Sequence, residues 1–147
     1  MIFREVKDLS LEKMNEIVEL ENIIFDGGGV DRWLIKSLSH YGKIFVLEEN
    51  NNIIAVAEFM AAFNKEEAYL YGICTKPSKR GVGYAKKLLI ESENILKENN
   101  IKKIFLTVSP DNAGAIKLYE NLNYLNLNFL KNEYGLGEDR YLFCKNI

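Results

Sequence analysis

One histidine and two cysteines among 147 residues leave several common chemistries without material. His40 lies in the loop-like Ser39-His40-Tyr41-Gly42 and reads as a surface side chain, so Ser-His-Asp catalysis has nothing else to draw on. Cys74 and Cys144 fall in strand-like runs with no CxxC spacing and no histidine partner. That pattern argues against a zinc site or a disulfide scaffold and for two buried reduced thiols. No metal is expected. No uninterrupted apolar run approaches the roughly 20 residues of a membrane span, and the opening MIFREVKDLS lacks the apolar centre of a signal peptide. The expectation is a soluble, cytoplasmic protein. The net charge of −2 provides no general attraction for nucleic acid. Both common nucleotide-phosphate strings are missing as well: there is no G-x-x-x-x-G-K-[ST], and after Gly81 and Gly83 the third small residue of G-x-G-x-x-G is replaced by Lys86.

What is present is the composition of a globular domain, 48% apolar and 27% charged, in a chain long enough to bury one core. One domain over residues 1–147 is expected, without repeats or low-complexity tracts. Phe3 to Lys7 reads as a strand. Asp8 or Ser10 caps a helix over Leu11 to Phe25, in which Met14, Ile17, Val18, Glu21 and Ile24 trace one face. Gly27-Gly28-Gly29 is either a hinge over a site or a linker, and Asp31-Arg32-Trp33-Leu34 starts a second short helix. Lys43 to Glu48 and Ile53 to Met60 form a hairpin across asparagines that tolerate left-handed backbone. Ala68 to Thr75 is a strand, the segment from Ala85 to Leu96 is an amphipathic helix, and Lys103 to Ser109 is another strand. Asn128 to Lys131 and Asp139 to Lys145 complete the strands around a loop from Asn132 to Glu138.

The chain is organised around the bend between the 68–75 strand and the following helix, Lys76-Pro77-Ser78-Lys79-Arg80-Gly81-Val82-Gly83-Tyr84-Ala85. A helix start offers unpaired N–H donors and a positive partial charge, glycines let a ligand approach the main chain, and Lys79, Arg80, Lys86 and Lys87 add cations. Together these make a seat for a phosphorylated ligand. The string P-x-x-R-G-x-G-x-A resembles the acyl-CoA signature [Q/R]-x-x-G-x-[G/A] of the GCN5-related N-acetyltransferases, with Arg80, Gly83 and Ala85 as its core. About thirty residues on, Asn112, Ala115, Leu118, Tyr119, Glu120 and Tyr124 resemble the same family's N-x-x-A-x-x-L-Y-E-x-x-x-[FY], with Asn123 where a glycine is usual.

The resemblance covers roughly residues 43 to 146. It implies a mixed, mostly antiparallel α/β sheet with splayed central strands and flanking helices. It also implies acetyl transfer from acetyl-CoA to a primary amine by direct attack. The main chain of Arg80, Gly81, Val82, Gly83, Tyr84 and Ala85 would hold the pyrophosphate, that of Ile73, Cys74 and Thr75 the pantetheine, and Asn112 would touch the cofactor arm. Gly81 and Gly83 are expected because a Cβ would block the phosphate. Lys79, Lys86 or Lys87 would meet the ribose phosphate, an N–H near Cys74 would stabilise the developing oxyanion, and Tyr119 would protonate the leaving thiolate.

Many members of the family it resembles carry a glutamate base on the strand before the phosphate bend or on the strand before the second helix. The corresponding positions here are Tyr71 and Thr107, leaving Glu58, Glu66, Glu138 or a water chain to take the proton. A site short of a strong base suits an α-amino group, whose pKa of about 8 makes deprotonation about 3 kcal/mol easier than for an alkylamine. The run Asn132 to Tyr141 also resembles the tyrosine-bearing loop of bacterial protein N-terminal acetyltransferases of the ribosomal-protein-alanine type, from which Thr107 departs. The expected acceptor is therefore a peptide N-terminus or an amino-acid-like amine. The alternatives are a polyamine or aminoglycoside drawn in by Glu66, Glu67, Glu133 and Glu138, and a non-catalytic acyl-CoA-binding regulatory module. Free sheet edges leave room for a homodimer.

Overall fold

The computed structural model describes all of residues 1–147. Seven strands form one sheet in the order β1-β2-β3-β4-β5-β7-β6: β1 Ile2–Glu5, β2 Lys43–Glu49, β3 Asn52–Ala61, β4 Glu67–Thr75, β5 Lys103–Val108, β6 Leu125–Leu130 and β7 Arg140–Asn146. Every neighbouring pair is antiparallel except β4 and β5. Four helices pack on it, α1 Leu11–Ile24, α2 Arg32–Tyr41, α3 Tyr84–Glu98 and α4 Ala113–Asn121.

Alternation along the strands builds a core on each face of the sheet. On β2, Phe45 and Leu47 join Phe59, Leu88, Leu89 and Phe143 beneath α3, while Ile44 and Val46 join Ile17, Leu20, Ile35 and Leu38 beneath α1 and α2. The hairpin turn uses left-handed Asn50 and Asn51, φ 51° and 63°, and Asn123 also adopts positive φ, 65°. Asparagine takes the glycine role there because its short polar side chain tolerates that backbone.

Several boundaries differ from the sequence reading. His40 belongs to the last turn of α2, not to a loop, because the helix runs on until the Gly42 N–H bonds Leu38 O; its side chain is exposed. The first strand stops at Glu5. β6 begins at Leu125 rather than Asn128, since ladder bonding to β7, with Leu125 opposite Cys144, outweighs the weak strand preference of its asparagines. No helix is long and apolar enough to cross a membrane.

Candidate active site

The site begins where two strands part. Parallel pairing of β4 with β5 is confined to Glu67, Ala68 and Tyr69 opposite Lys103, Ile104 and Phe105. Beyond Tyr69 both strands continue without each other, so the β5-facing edge of β4 has no strand partner. A cavity of about 760 Å³ fills the split. It is lined by Tyr69 to Ile73 and Thr75 of β4, Thr107 to Ser109 at the end of β5, Arg80 and Ala85 of the bend, and Asn112, Ala115 and Tyr119 around α4. At its other end stand Glu21, Ile24 and Phe25, with Gly28, Gly29, Tyr134 and Arg140.

The bend leads into α3 through a short 3-10 turn, Pro77–Lys79. Gly83 is the N-cap of α3 at φ 90°, a left-handed conformation that costs a residue with a Cβ. Ser10, Asp31 and Asn112 cap α1, α2 and α4 with side-chain oxygens, but no side chain caps α3. Its first N–H groups are left for another acceptor. A Cβ at Gly81 or Gly83 would meet no protein atom within 4 Å, so the space beside both glycines is open and the backbone angle, not a protein contact, selects them.

Among the residues expected at the site, Ile73, Thr75, Arg80, Ala85, Asn112 and Tyr119 share this cavity. Gly83 lines a second depression of about 280 Å³ with Lys86, Lys87, Ile90 and Glu91. Gly81, Val82 and Tyr84 line neither; Val82 is exposed and Tyr84 packs on the core beneath α3. The Cys74 side chain turns to the opposite face, among the core residues under α1, so only its main chain is left to serve the split. Both thiols are free and buried. Lys79 is ion-paired with Glu49, whereas Lys86 and Lys87 have no such partner. The buried Thr75 Oγ1 lacks a hydrogen-bond partner, and Arg80 Nε reaches back to Thr75 O at 3.4 Å.

Tyr119 is 5% exposed, packed against Tyr124 and Phe143 with ring centroids 5.7 and 6.1 Å away. Burial pushes its phenol above the ordinary tyrosine range, with the nearby Tyr69 hydroxyl adding to the shift. It stays protonated at neutral pH. Across the cavity the hydroxyls of Tyr69, Thr107 and Tyr134 form a triangle with edges of 2.8, 2.9 and 3.1 Å, and Arg140 stacks 4.9 Å from the Tyr134 ring centre. Burial raises Tyr69 to about 12, so it too stays protonated.

Tyr71 and Thr107 do line the cavity, and neither is a base at neutral pH. Of the substitutes weighed from sequence, Glu66 and Glu138 are exposed and pair with Lys102 and Arg140, whereas Glu58 is wholly buried. The carboxylate that reaches the cavity is Glu21, counted from sequence as part of the α1 apolar face. It is 1% exposed, and its Oε2 accepts from Val30 N–H at 3.4 Å. Gly29 makes this possible, because a Cβ there would stand 2.6 Å from Glu21 Cβ. Burial raises the Glu21 carboxyl above its ordinary range, against the pull of the Cys74 thiol and the Val30 N–H. The signal was legible: an acidic side chain at a core-facing helical position needs a buried reason.

A mostly antiparallel sheet split between β4 and β5, with an uncapped helix start at the split, defines the N-acetyltransferase class of fold. Residues 12–124 match the family described as Acetyltransferase (GNAT) family, and the chain belongs to it. It is 35% identical over 90 residues to a [ribosomal protein bS18]-alanine N-acetyltransferase of Haemophilus ducreyi; the match spans 61% of each protein. An N-alpha-acetyltransferase of Saccharolobus solfataricus is 24% identical over 152 residues, covering 95% of this chain and 91% of that one. An aminoglycoside 6'-N-acetyltransferase solved with coenzyme A superposes with a TM-score of 0.87 at 11% identity, over 99% of this chain and 97% of that one, a likeness of fold alone.

Proposed function

We propose that the chain is an acetyl-CoA-dependent N-acetyltransferase, built as one domain, whose acceptor is the α-amino group of a peptide or amino-acid-like molecule. The observation that carries this reading is the single cavity running from the bend past Tyr119 to Glu21. The residues present fit an acyl-CoA: uncapped N–H groups at the start of α3 for a pyrophosphate, open space beside Gly81 and Gly83, an unpaired β4 edge for amides, and the orphaned Thr75 hydroxyl. When bound, acetyl-CoA supplies a thioester whose acyl carbon an amine can take.

The chain's own residues then have separate tasks. The main chain of Arg80 to Ala85 seats phosphate, that of Ile73 to Thr75 aligns the pantetheine arm, and Asn112 fixes the α4 start beside it while capping Ala115 N–H at 3.1 Å. An N–H near Cys74 faces the acyl oxygen as charge develops. Glu21 takes one proton from the incoming ammonium. Tyr119 gives its proton to the leaving sulfur and regains one from the acylated nitrogen, so that one proton in all is released to water. A phenol held above its usual range is a weaker donor, but the same burial makes a thiolate a stronger acceptor.

The choice of acceptor follows from charge. Glu21 is the only carboxylate lining the cavity; Glu66, Glu67, Glu133 and Glu138 do not line it, and Arg140 does. Apart from the Arg140 cation, the walls at the Glu21 end are neutral, from Ile24 and Phe25 to Tyr71 and Tyr134. Such a pocket suits one cationic amine followed by neutral atoms, not a polycation. The relatives' names point the same way, because two of them act on α-amino groups.

The test is thiol release from acetyl-CoA with peptides carrying free or blocked N-termini, amino acids, polyamines and aminoglycosides. Release is expected with free N-termini and lost on blocking. In Tyr119→Phe kcat should fall by about 100-fold or more with KM little changed. Turnover of polyamines or aminoglycosides, with none for any peptide or amino acid, would sink the assignment of acceptor; undiminished release in Tyr119→Phe would remove Tyr119 as the acid.

A further inference from the structure

Two carboxylates that come from different elements converge on Gly72 beneath the acceptor end of the cavity. Glu58, on β3, lies opposite Gly72 of β4 in the strand register, while Glu21 descends from α1 onto the same point. A Cβ built on Gly72 would stand 3.0 Å from Glu58 Oε2 and 3.8 and 3.9 Å from the two Glu21 oxygens. A side chain at position 72 would press on Glu58 Oε2 and touch both Glu21 oxygens, so the glycine keeps the space between them open. Glu58 is 0% exposed and Glu21 1%, and three of their four oxygens, Glu21 Oε1 and both of Glu58, have no hydrogen-bond partner.

Near this pair are the Cys74 thiol and the Tyr71 hydroxyl of β4 and the Val30 N–H; Asp31 at the α2 start and Tyr134 of the β6–β7 loop lie near Tyr71, Arg80 of the bend lies near Cys74, and Arg140 stacks on Tyr134. The cations of that group are Arg80, whose Nε is turned to Thr75 O, and Arg140, whose guanidinium stacks on Tyr134 and bonds Asp139 O and Glu138; neither bonds Glu21 or Glu58. Two buried anions side by side without a cation between them are strongly disfavoured, and a buried oxygen without a donor is costly.

We propose that Glu21 and Glu58 hold one proton between them at neutral pH, with Gly72 as the gap that lets them meet. Glu58 is then a positioning residue: its neutral carboxyl donates to the Glu21 carboxylate and leaves a single negative charge facing the acceptor amine. When Glu21 accepts the ammonium proton the pair carries two, and it returns one to water after the product leaves. No other group is oxidised, reduced or consumed. The physics is that of the paired carboxyls in aspartic proteases, two acids too close to ionise together. This inference rests on the proposed role of Glu21 as base, but the existence of the pair does not.

The experiment combines infrared detection of a carboxylic-acid C=O band in the folded protein at neutral pH with pH profiles of kcat/KM, using wild type, Glu58→Gln, Glu58→Leu and Gly72→Ala. Wild type should show the band and Glu58→Gln should lose it. The acid limb of kcat/KM should stay nearly in place in Glu58→Gln, whose amide still donates. In Glu58→Leu and Gly72→Ala, which remove or separate the donor, it should rise by about one pH unit, a tenfold loss on the limb. Absence of the band from wild type overturns the pair and needs no variant to fold. A limb that moves down in Glu58→Gln overturns it by showing Glu58 charged, and one unmoved in all three variants overturns it by showing a merely structural role. If the band behaves as expected but Glu21→Gln keeps the acid limb, the pair stands and the reading of Glu21 as base fails.

Discussion

Glu58 makes a prediction opposite in sign to that of most carboxylates. Burial first, and the neighbouring Glu21 second, raise its carboxyl well above the ordinary value. The folded chain therefore holds a proton that the unfolded chain releases above about 4.5. Its contribution to stability is full below that value and is lost as pH rises toward and through the folded one, at about 1.4 kcal/mol per pH unit. In Glu58→Gln nothing titrates at that position. Thermal melts of wild type should fall between pH 5 and pH 8 by more than those of Glu58→Gln; parallel curves would show that Glu58 is not protonated in the folded state.

At the scale of elements, α3 is the helix whose start is left open. Gly83→Ala meets no protein atom, so its effect on folding is the backbone cost of a left-handed alanine, about 1–2 kcal/mol. The methyl would also stand in the open space where a phosphate is expected. Calorimetric titration with acetyl-CoA should therefore show at least about a tenfold weaker Kd, beyond what the modest fall in melting temperature explains. Lys79 is committed to Glu49 while Lys86 and Lys87 are not. Replacing both of the latter by alanine should weaken binding more than Lys79→Ala, and the reverse order would return Lys79 to the phosphate seat. β6 teaches a different lesson: its residues Leu125 to Phe129 are exposed, and it is a strand because β7 pairs with it.

Across the whole molecule the two cores share the same strands. Ile44 and Val46 face one, Phe45 and Leu47 the other, so neither core can be lost while β2 stays in place. Scanning calorimetry should show one transition with equal calorimetric and van't Hoff enthalpies. Acetyl-CoA should raise the midpoint, by about 2.7 kcal/mol of stability at 100 times its Kd. Two separated transitions would mean that residues 1–147 do not unfold as one domain. The split between β4 and β5 belongs to this scale as well, since it exists only where pairing stops at Tyr69 and Phe105.

The sequence by itself determined the parts whose demands are local. The bend, the left-handed Gly83 and Asn123, the Asn112 cap and the helix–strand order each depend on a few adjacent residues, and the family resemblance rests on those positions. Tertiary structure alone decided the Glu21 end of the cavity. Helical periodicity counted Glu21 with the apolar face of α1, correctly as to burial and silently as to purpose. What brings it to Glu58 is the crossing of α1 over β3 and β4, the register that sets Glu58 against Gly72, and the close pass of Gly29. Those are contacts between segments distant in the chain, and no local preference of either glutamate encodes them.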